Sequence, residues 1–234
     1  MAILGSIIKT AIDLRGAIVS EKSPVESQRE VLKNLLEKAK ETAFGKYYGF
    51  AHILEASEIE KEFAKKVPYF DYHQMEAEWW CKTQEGMEDI SWPGKPTYFA
   101  RSSGTTGKTS KRIPVTDEMI EAIRTTGIKQ VGALTNFEIP SDFYEKEIMM
   151  LGSSTNLEEH DQFLEGEISG ISASNIPFWF RGYYKPGEEI AQMDDWDQKV
   201  ETIAKNARNW DIGALSGIPS WMELMMKKVI EYHN

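Results

Sequence analysis

The sequence predicts an α/β fold: a helical N-terminal lead-in followed by strand–helix alternation. Three observations predict it. Residues 1–95 carry helical apolar spacing and helix caps but no strand pattern. Residues 96–234 alternate short apolar runs with capped helices. At ~150 residues per domain, the length of 234 residues suits one large domain or two small ones.

The elements follow in order. Ile3, Leu4, Ile7, Ile8, Ala11, Ile12, Leu14, Ile18 and Val19 sit at helical spacings. Lys9, Asp13 and Arg15 interrupt that run, so it reads as neither a signal peptide nor a membrane span. It also lacks the basic face of a membrane-surface helix. Ser23-Pro24-Val25-Glu26 is a helix start, with Ser as cap, Pro in the first turn and Glu at the third position. The amphipathic run behind it reaches about Thr42, and Phe44-Gly45 stops it. A short charged helix is expected from Ser57 to Lys66, ended by Pro68. Asp71 caps another through Thr83. Trp79-Trp80 and Cys81 read as packing residues there. Trp92–Pro96 is a turn-rich connector.

Beyond it, Thr97–Ala100 and Arg112–Val115 read as short strands, and Asp117 starts a helix to about Asn136. Glu147–Gly152 reads as a buried strand and Gly166–Ile171 as an extended segment. Asp194–Asn209 is a helix, Asp211–Leu215 a strand and Pro219–Tyr232 a helix. No internal repeat or low-complexity tract is visible.

Composition narrows the function. The net charge is −10, from 27 basic and 37 acidic residues. There is no basic stripe of the kind that binds nucleic acid. The one local basic excess is Lys108, Lys111 and Arg112, inside a Gly/Ser/Thr loop. A single cysteine and four scattered histidines leave no disulfide and no zinc spacing. These features read as a cytoplasmic protein with no nucleic-acid or membrane partner.

The loop Ser102-Ser103-Gly104-Thr105-Thr106-Gly107-Lys108-Thr109-Ser110-Lys111 carries the chemistry. Glycines let backbone N–H groups close on an anion. Hydroxyls donate further hydrogen bonds, and lysine adds point charge. A Walker loop would need glycine where Ser102 stands, and it would open directly into a helix. Pro114, six residues past Lys108, opposes a helix there, at about 3 kcal/mol. The layout is therefore strand, loop, strand, helix.

That layout, with Ser-Ser-Gly-Thr-Thr-Gly and a following lysine, resembles the phosphate loop of the adenylate-forming superfamily of acyl-CoA synthetases and luciferases. Four further motifs fall in matching order: Thr42–Lys46, Val67–Tyr72, Trp92-Pro93-Gly94 and Leu215–Trp221. Together they resemble the auxin-responsive (Gretchen Hagen) acyl-acid amido synthetase family, in its bacterial branch, from about position 28 to 234.

The resemblance implies that residues 1–234 are the first half of the large ATP- and acyl-binding N-terminal domain, with 1–95 as helical lead-in and 96–234 as phosphate loop and α/β portion. It implies ATP and Mg2+ as cofactors, a carboxylic acid to be adenylated and an amino acid as acceptor. Ser102, Ser103, Gly104, Thr105 and Thr106 would hold the β- and γ-phosphates. Gly107 would allow close backbone approach, and Lys108 would stand beside it. Lys111 takes the family's basic position after the loop. In the family the helix from Asp117 lines the acyl pocket. This implies Thr125 as a substrate contact, with Lys129 and Gln130 weaker and Arg124 a carboxylate partner. Trp221 could wall the pocket, and Ser154-Thr155-Asn156 could form a lip of the cleft. The plainer reading of each is ordinary packing or a turn.

Family members are considerably longer, and their later ribose- and adenine-binding motifs have no counterpart here. The expectation is weak or no adenylation by this chain alone. Two alternatives stay open: an acyl-CoA or aryl-CoA ligase with the same first step, and a non-catalytic nucleotide-binding half-domain. The latter would self-associate or dock on a partner chain through an apolar face of more than a few hundred Å2.

Overall fold

The computed structural model describes residues 5–7, 9–10, 22–102 and 110–234. In chain order the helices before the first strand are α1 (Pro24–Ala39), α2 (Ala43–Tyr47), α3 (Phe50–Leu54), α4 (Ile59–Lys66) and α5 (Tyr72–Met75). A π turn (Glu76–Trp80) and α6 (Cys81–Gln84) follow. Then come β1 (Tyr98–Arg101), β2 (Arg112–Val115), α7 (Asp117–Ala133), β3 (Glu147–Leu151), β4 (Glu158–Glu159) and β5 (Leu164–Gly166). The chain continues with α8 (Ile168–Ser174), β6 (Tyr184–Lys185), α9 (Glu188–Ala191), α10 (Trp196–Asn206), β7 (Ile212–Gly217) and α11 (Pro219–His233). The strands form a four-stranded sheet of order β2-β1-β5-β4 and a three-stranded sheet of order β6-β3-β7. Among the described residues no helix is long and apolar enough to cross a membrane.

The chain divides into two compact units. Unit one takes Glu118–Glu158 and Glu165–Asn234 together with the described residues of the first nineteen; unit two takes Ser20–Asp117 and Glu159–Leu164.

Unit two is built on capped helices. Ser23 and Glu26 form a reciprocal capping box at α1, and Asp71 and Gln74 form another at α5. Each satisfies backbone N–H groups that a helix start leaves unpaired. Leu36, Ala39, Phe50, Ile53 and Ile59 make the buried core, with Phe44 and Trp92 packed on it. Trp79 is buried edge-on to Phe44, 4.9 Å between centroids. β1 and β2 pair antiparallel, with Phe99 opposite Pro114 and Arg101 opposite Arg112. Pro114 is tolerated because β2 is the outer strand of its sheet.

Unit one is the α/β part. β3 lies between β6 and β7 and runs parallel to both. Parallel strands need crossover connections, and α8–α10 supply them. The core gathers Met149 and Leu151 from β3, Val200 and Ile203 from α10, and Met225 from α11. Two glycines let backbone meet backbone. A Cβ on Gly217, at the end of β7, would stand 2.6 Å from the Leu151 carbonyl oxygen. A Cβ on Gly170 would stand 2.1 Å from the Ser154 oxygen.

One expectation is corrected. Gly166–Ile171 is not an extended segment: β5 ends at Gly166 and α8 begins at Ile168. The glycine at 170 serves close packing under Ser154, and Ile171 turns fully into the core. Helical placement puts Gly170 and Ile171 on the buried side and leaves Ile168 exposed.

Candidate functional site

The β1–β2 hairpin frames the loop that the sequence singles out. Ser102 follows β1, and its N–H donates to the Lys111 carbonyl at 3.0 Å, closing the neck of the loop. Ser103, Gly104, Thr105, Thr106, Gly107 and Lys108 lie outside the described residues.

Tyr72 fixes the outgoing side of the neck. Its hydroxyl accepts from the Arg112 N–H at 2.9 Å and donates to Glu76 Oε2 at 2.9 Å. Glu76 Oε1 in turn accepts from Gln84 Nε2 at 2.8 Å. Burial pushes the Tyr72 phenol above its ordinary value, the Arg112 N–H partly counters this, and the Glu76 carboxylate adds to the rise. Tyr72 therefore stays a neutral phenol that both donates and accepts. Lys111 is exposed, and its ammonium stands 5.1 Å from the Tyr72 ring centroid. A cation over an aromatic face is held with little desolvation, so this charge remains available to an anion. Sequence reasoning missed Tyr72. The signal was the Asp71–Gln74 capping box, which fixes where the helix carrying Tyr72 begins.

The other sequence candidates lie in unit one. Thr125 is half-buried on α7, and its hydroxyl reaches Glu121 Oε1 at 3.4 Å, one helical turn back. Arg124 pairs with Glu121 at 2.6 Å and donates to the Asn175 carbonyl at 3.1 Å. Lys129 and Gln130 are exposed on the same helix. Trp221 packs against the core, with its ring 4.6 Å from that of Trp196. Ser154–Asn156 forms a tied turn after β3. The Ser154 hydroxyl donates to the Gln192 carbonyl, and Asn156 Nδ2 donates to Asp194 at 2.9 Å. Hydrogen bonds from Ser154 and then Asn156 hold the Asp194 carboxyl below its usual range.

Mg2+ takes oxygen ligands, usually one or two carboxylates with phosphates and water. The stretch Ser102–Lys111 holds no carboxylate. That stretch does not make a magnesium site by itself.

Comparison with known proteins adds to this geometry. A model of the GH3 family N-terminal domain matches residues 19–212. A search of curated proteins by sequence returns no significant match. Among solved structures, "GH3.15 acyl acid amido synthetase" aligns at 15% identity with a TM-score of 0.71, over 96% of this chain and 39% of that one. "AtGH3.15 acyl acid amido synthetase in complex with 2,4-DB" aligns at 16% identity with a TM-score of 0.63, over 87% of this chain and 35% of that one. At that identity the likeness is one of fold. The chain spans well under half the length of either synthetase. With the family model running across most of its length, the chain belongs to the GH3 family, through that family's N-terminal domain.

Proposed function

We propose that the protein takes part in ATP-dependent adenylation of a carboxylic acid, followed by amide formation with an amino acid. Residues 1–234 would supply part of the ATP- and acyl-binding domain, with 1–95 as its helical lead-in. In the first step the acid's carboxylate oxygen attacks the α-phosphorus of ATP. An acyl–adenylate bond forms, the bond to the β-phosphate oxygen breaks, and pyrophosphate leaves. In the second step an amine nitrogen attacks the acyl carbon, AMP leaves, and the nitrogen gives up a proton. Ser102, Ser103, Gly104, Thr105, Thr106 and Gly107 hold the β- and γ-phosphates, with Lys108 beside them, and Lys111 offsets charge on the departing pyrophosphate. Magnesium, when bound, would supply charge neutralisation on the phosphates. Thr125 and Trp221 are assigned to the acid.

The observation that carries this reading is the neck of the hairpin. A Ser/Thr/Gly loop leaves a strand pair at Ser102 and returns at Lys111, with the lysine exposed beside it. Membership in the GH3 family supports the choice of reaction.

The test is pyrophosphate-dependent exchange into ATP with a panel of carboxylic acids, on this chain and on a longer chain carrying it. Acid-dependent exchange that Ser103→Ala lowers by about 10²–10³ is the expected result. Silence in both chains sinks the reading. Trapping the adenylate with amino acids against thiols separates amide formation from thioester formation.

A further inference from the structure

In unit two a carboxylate and the loop's lysine stand against the same phenol. Tyr72 lies on α5, and the Lys111 ammonium sits over its ring, 5.1 Å from the centroid. Its hydroxyl donates to Glu76 Oε2 at 2.9 Å and accepts from the Arg112 N–H at 2.9 Å. Burial pushes the phenol above its ordinary value, so the proton stays on oxygen and serves the carboxylate. The Trp80 ring packs against the same tyrosine, 6.0 Å between centroids. One side chain therefore holds the lysine by its face and the glutamate by its edge.

Glu76 is half-buried, and both of its oxygens are engaged. Oε2 takes the phenol proton, and Oε1 accepts from Gln84 Nε2 at 2.8 Å. The backbone makes the second contact possible. In an uninterrupted α-helix, residues eight apart lie about 80° apart around the axis. Glu76–Trp80 is a π turn, and its wider winding brings Gln84 back under Glu76. Single π turns inside helices recur at functional sites. The negative charge is thus held by two neutral donors, while Lys111 meets a ring. A carboxylate paired with that lysine would cancel the charge that attracts an anion.

We propose that Tyr72 is a positioning residue of the phosphate loop: its ring holds the Lys111 ammonium while its hydroxyl keeps Glu76 occupied, which leaves the lysine's charge to the incoming phosphate. The inference rests on the reading of Ser102–Lys111 as a phosphate site. A tyrosine that only braced the fold would act on stability alone. This one acts on anion affinity, and it does so through the charge of Glu76. Phenylalanine at 72 keeps the ring and releases the carboxylate, so the two functions of the side chain can be separated.

The probe is inorganic tripolyphosphate, titrated by calorimetry into the 234-residue chain and its variants. Tyr72→Phe is expected to weaken binding about fivefold, and Glu76→Gln added to it to restore the native affinity, a coupling of the size found between neighbouring residues. Glu76→Gln alone keeps an acceptor for the phenol, and it is expected to gain less than it restores in the double variant. Lys111→Met is the control for the phosphate site and is expected to weaken binding in either background. Two outcomes overturn the proposal alone: native affinity in Tyr72→Phe while Lys111→Met is weakened, or a weakened Tyr72→Phe that Glu76→Gln does not restore. The double variant leaves no released carboxylate, so it keeps the test open should Tyr72→Phe fail to fold. An affinity in it well below that of the native chain then overturns the proposal. Tripolyphosphate that does not bind the native chain, or binds Lys111→Met undiminished, overturns the phosphate reading and the proposal with it.

Discussion

Lys111 in unit two and Lys199 in unit one are the same residue type in opposite surroundings. Lys111 projects from the end of a hairpin loop, exposed, with an aromatic face beneath its ammonium. Lys199 rises from the middle of a helix into a carbonyl-lined interior, with burial working against its charge. An exposed lysine is cheap to keep charged and meets whatever anion diffuses up to it. A buried one is costly to keep charged, and here that cost is set against hydrogen bonds to the Ala191 and Gly152 carbonyls. The first arrangement suits a large, highly charged ligand that brings its own solvent and counter-ions.

The comparison can be broken or sharpened, starting with the largest effect. Lys111→Met is expected to lower ATP–pyrophosphate exchange by about 10²–10³, roughly 3–4 kcal/mol of barrier. Its unfolding free energy in urea should stay within about 0.5 kcal/mol of the native chain, as for other exposed positions. A large stability loss would mean the ring contact is structural and the contrast false.

Next, Ile203→Ala, at a fully buried position of the core formed by β3, α10 and α11, should cost about 3 kcal/mol by urea denaturation. A loss below about 1 kcal/mol would show that the apolar frame around Lys199 is loose enough to admit water.

Tyr72→Phe keeps the ring over Lys111 but removes the hydroxyl that Arg112 and Glu76 share. It should cost about 1 kcal/mol, with faster amide exchange at Arg112 as the sharper readout. Unchanged exchange there would mean the neck holds its shape without the tyrosine.

The smallest effect is in pH dependence. Lys199 has its folded affinity for protons depressed below the ordinary lysine value of 10.5. The unfolded chain then binds more protons between the depressed value and 10.5, so this lysine makes stability rise with pH across that window. Its penalty is full below the folded value and fades toward 10.5. Asp194 opposes the shift through space. Tyr184, which lines a small cavity with Lys199, is pushed up to about 12 by burial and stays neutral throughout. Lys199→Met should be as stable as the native chain or slightly more so at pH 8, with the gap closing by pH 10 in denaturant titrations. A gap that widens with pH would put the sign, and the burial argument, in error.

What was legible in the sequence was what is written locally. The strand Arg112–Val115 contains Pro114 and ends just before the helix start at Asp117. The capping boxes at Ser23 and Asp71 are each contained in four consecutive residues. Family motifs carried the rest of the fold class, and a solved synthetase structure at 15% identity shares that fold. What was not legible depends on distant partners. Tyr72 matters through Arg112, 40 residues on. Lys199 meets the Gly152 carbonyl, 47 residues earlier. The Gly166–Ile171 segment misled because its glycines resembled strand punctuation, whereas Gly170 answers to the Ser154 backbone above it.

The outer edge of β2 has one more consequence. With Ser102 bonded to Lys111, antiparallel alternation turns the backbone nitrogens of Arg112 and Pro114 away from β1. Proline has no hydrogen to offer there, and the Arg112 hydrogen is already committed to the Tyr72 hydroxyl. A foreign strand approaching this border finds no donors at two successive outward positions. Exposed sheet borders are where chains add to one another and aggregate. The phenol that steadies the loop's neck thus also helps close the sheet against its own kind.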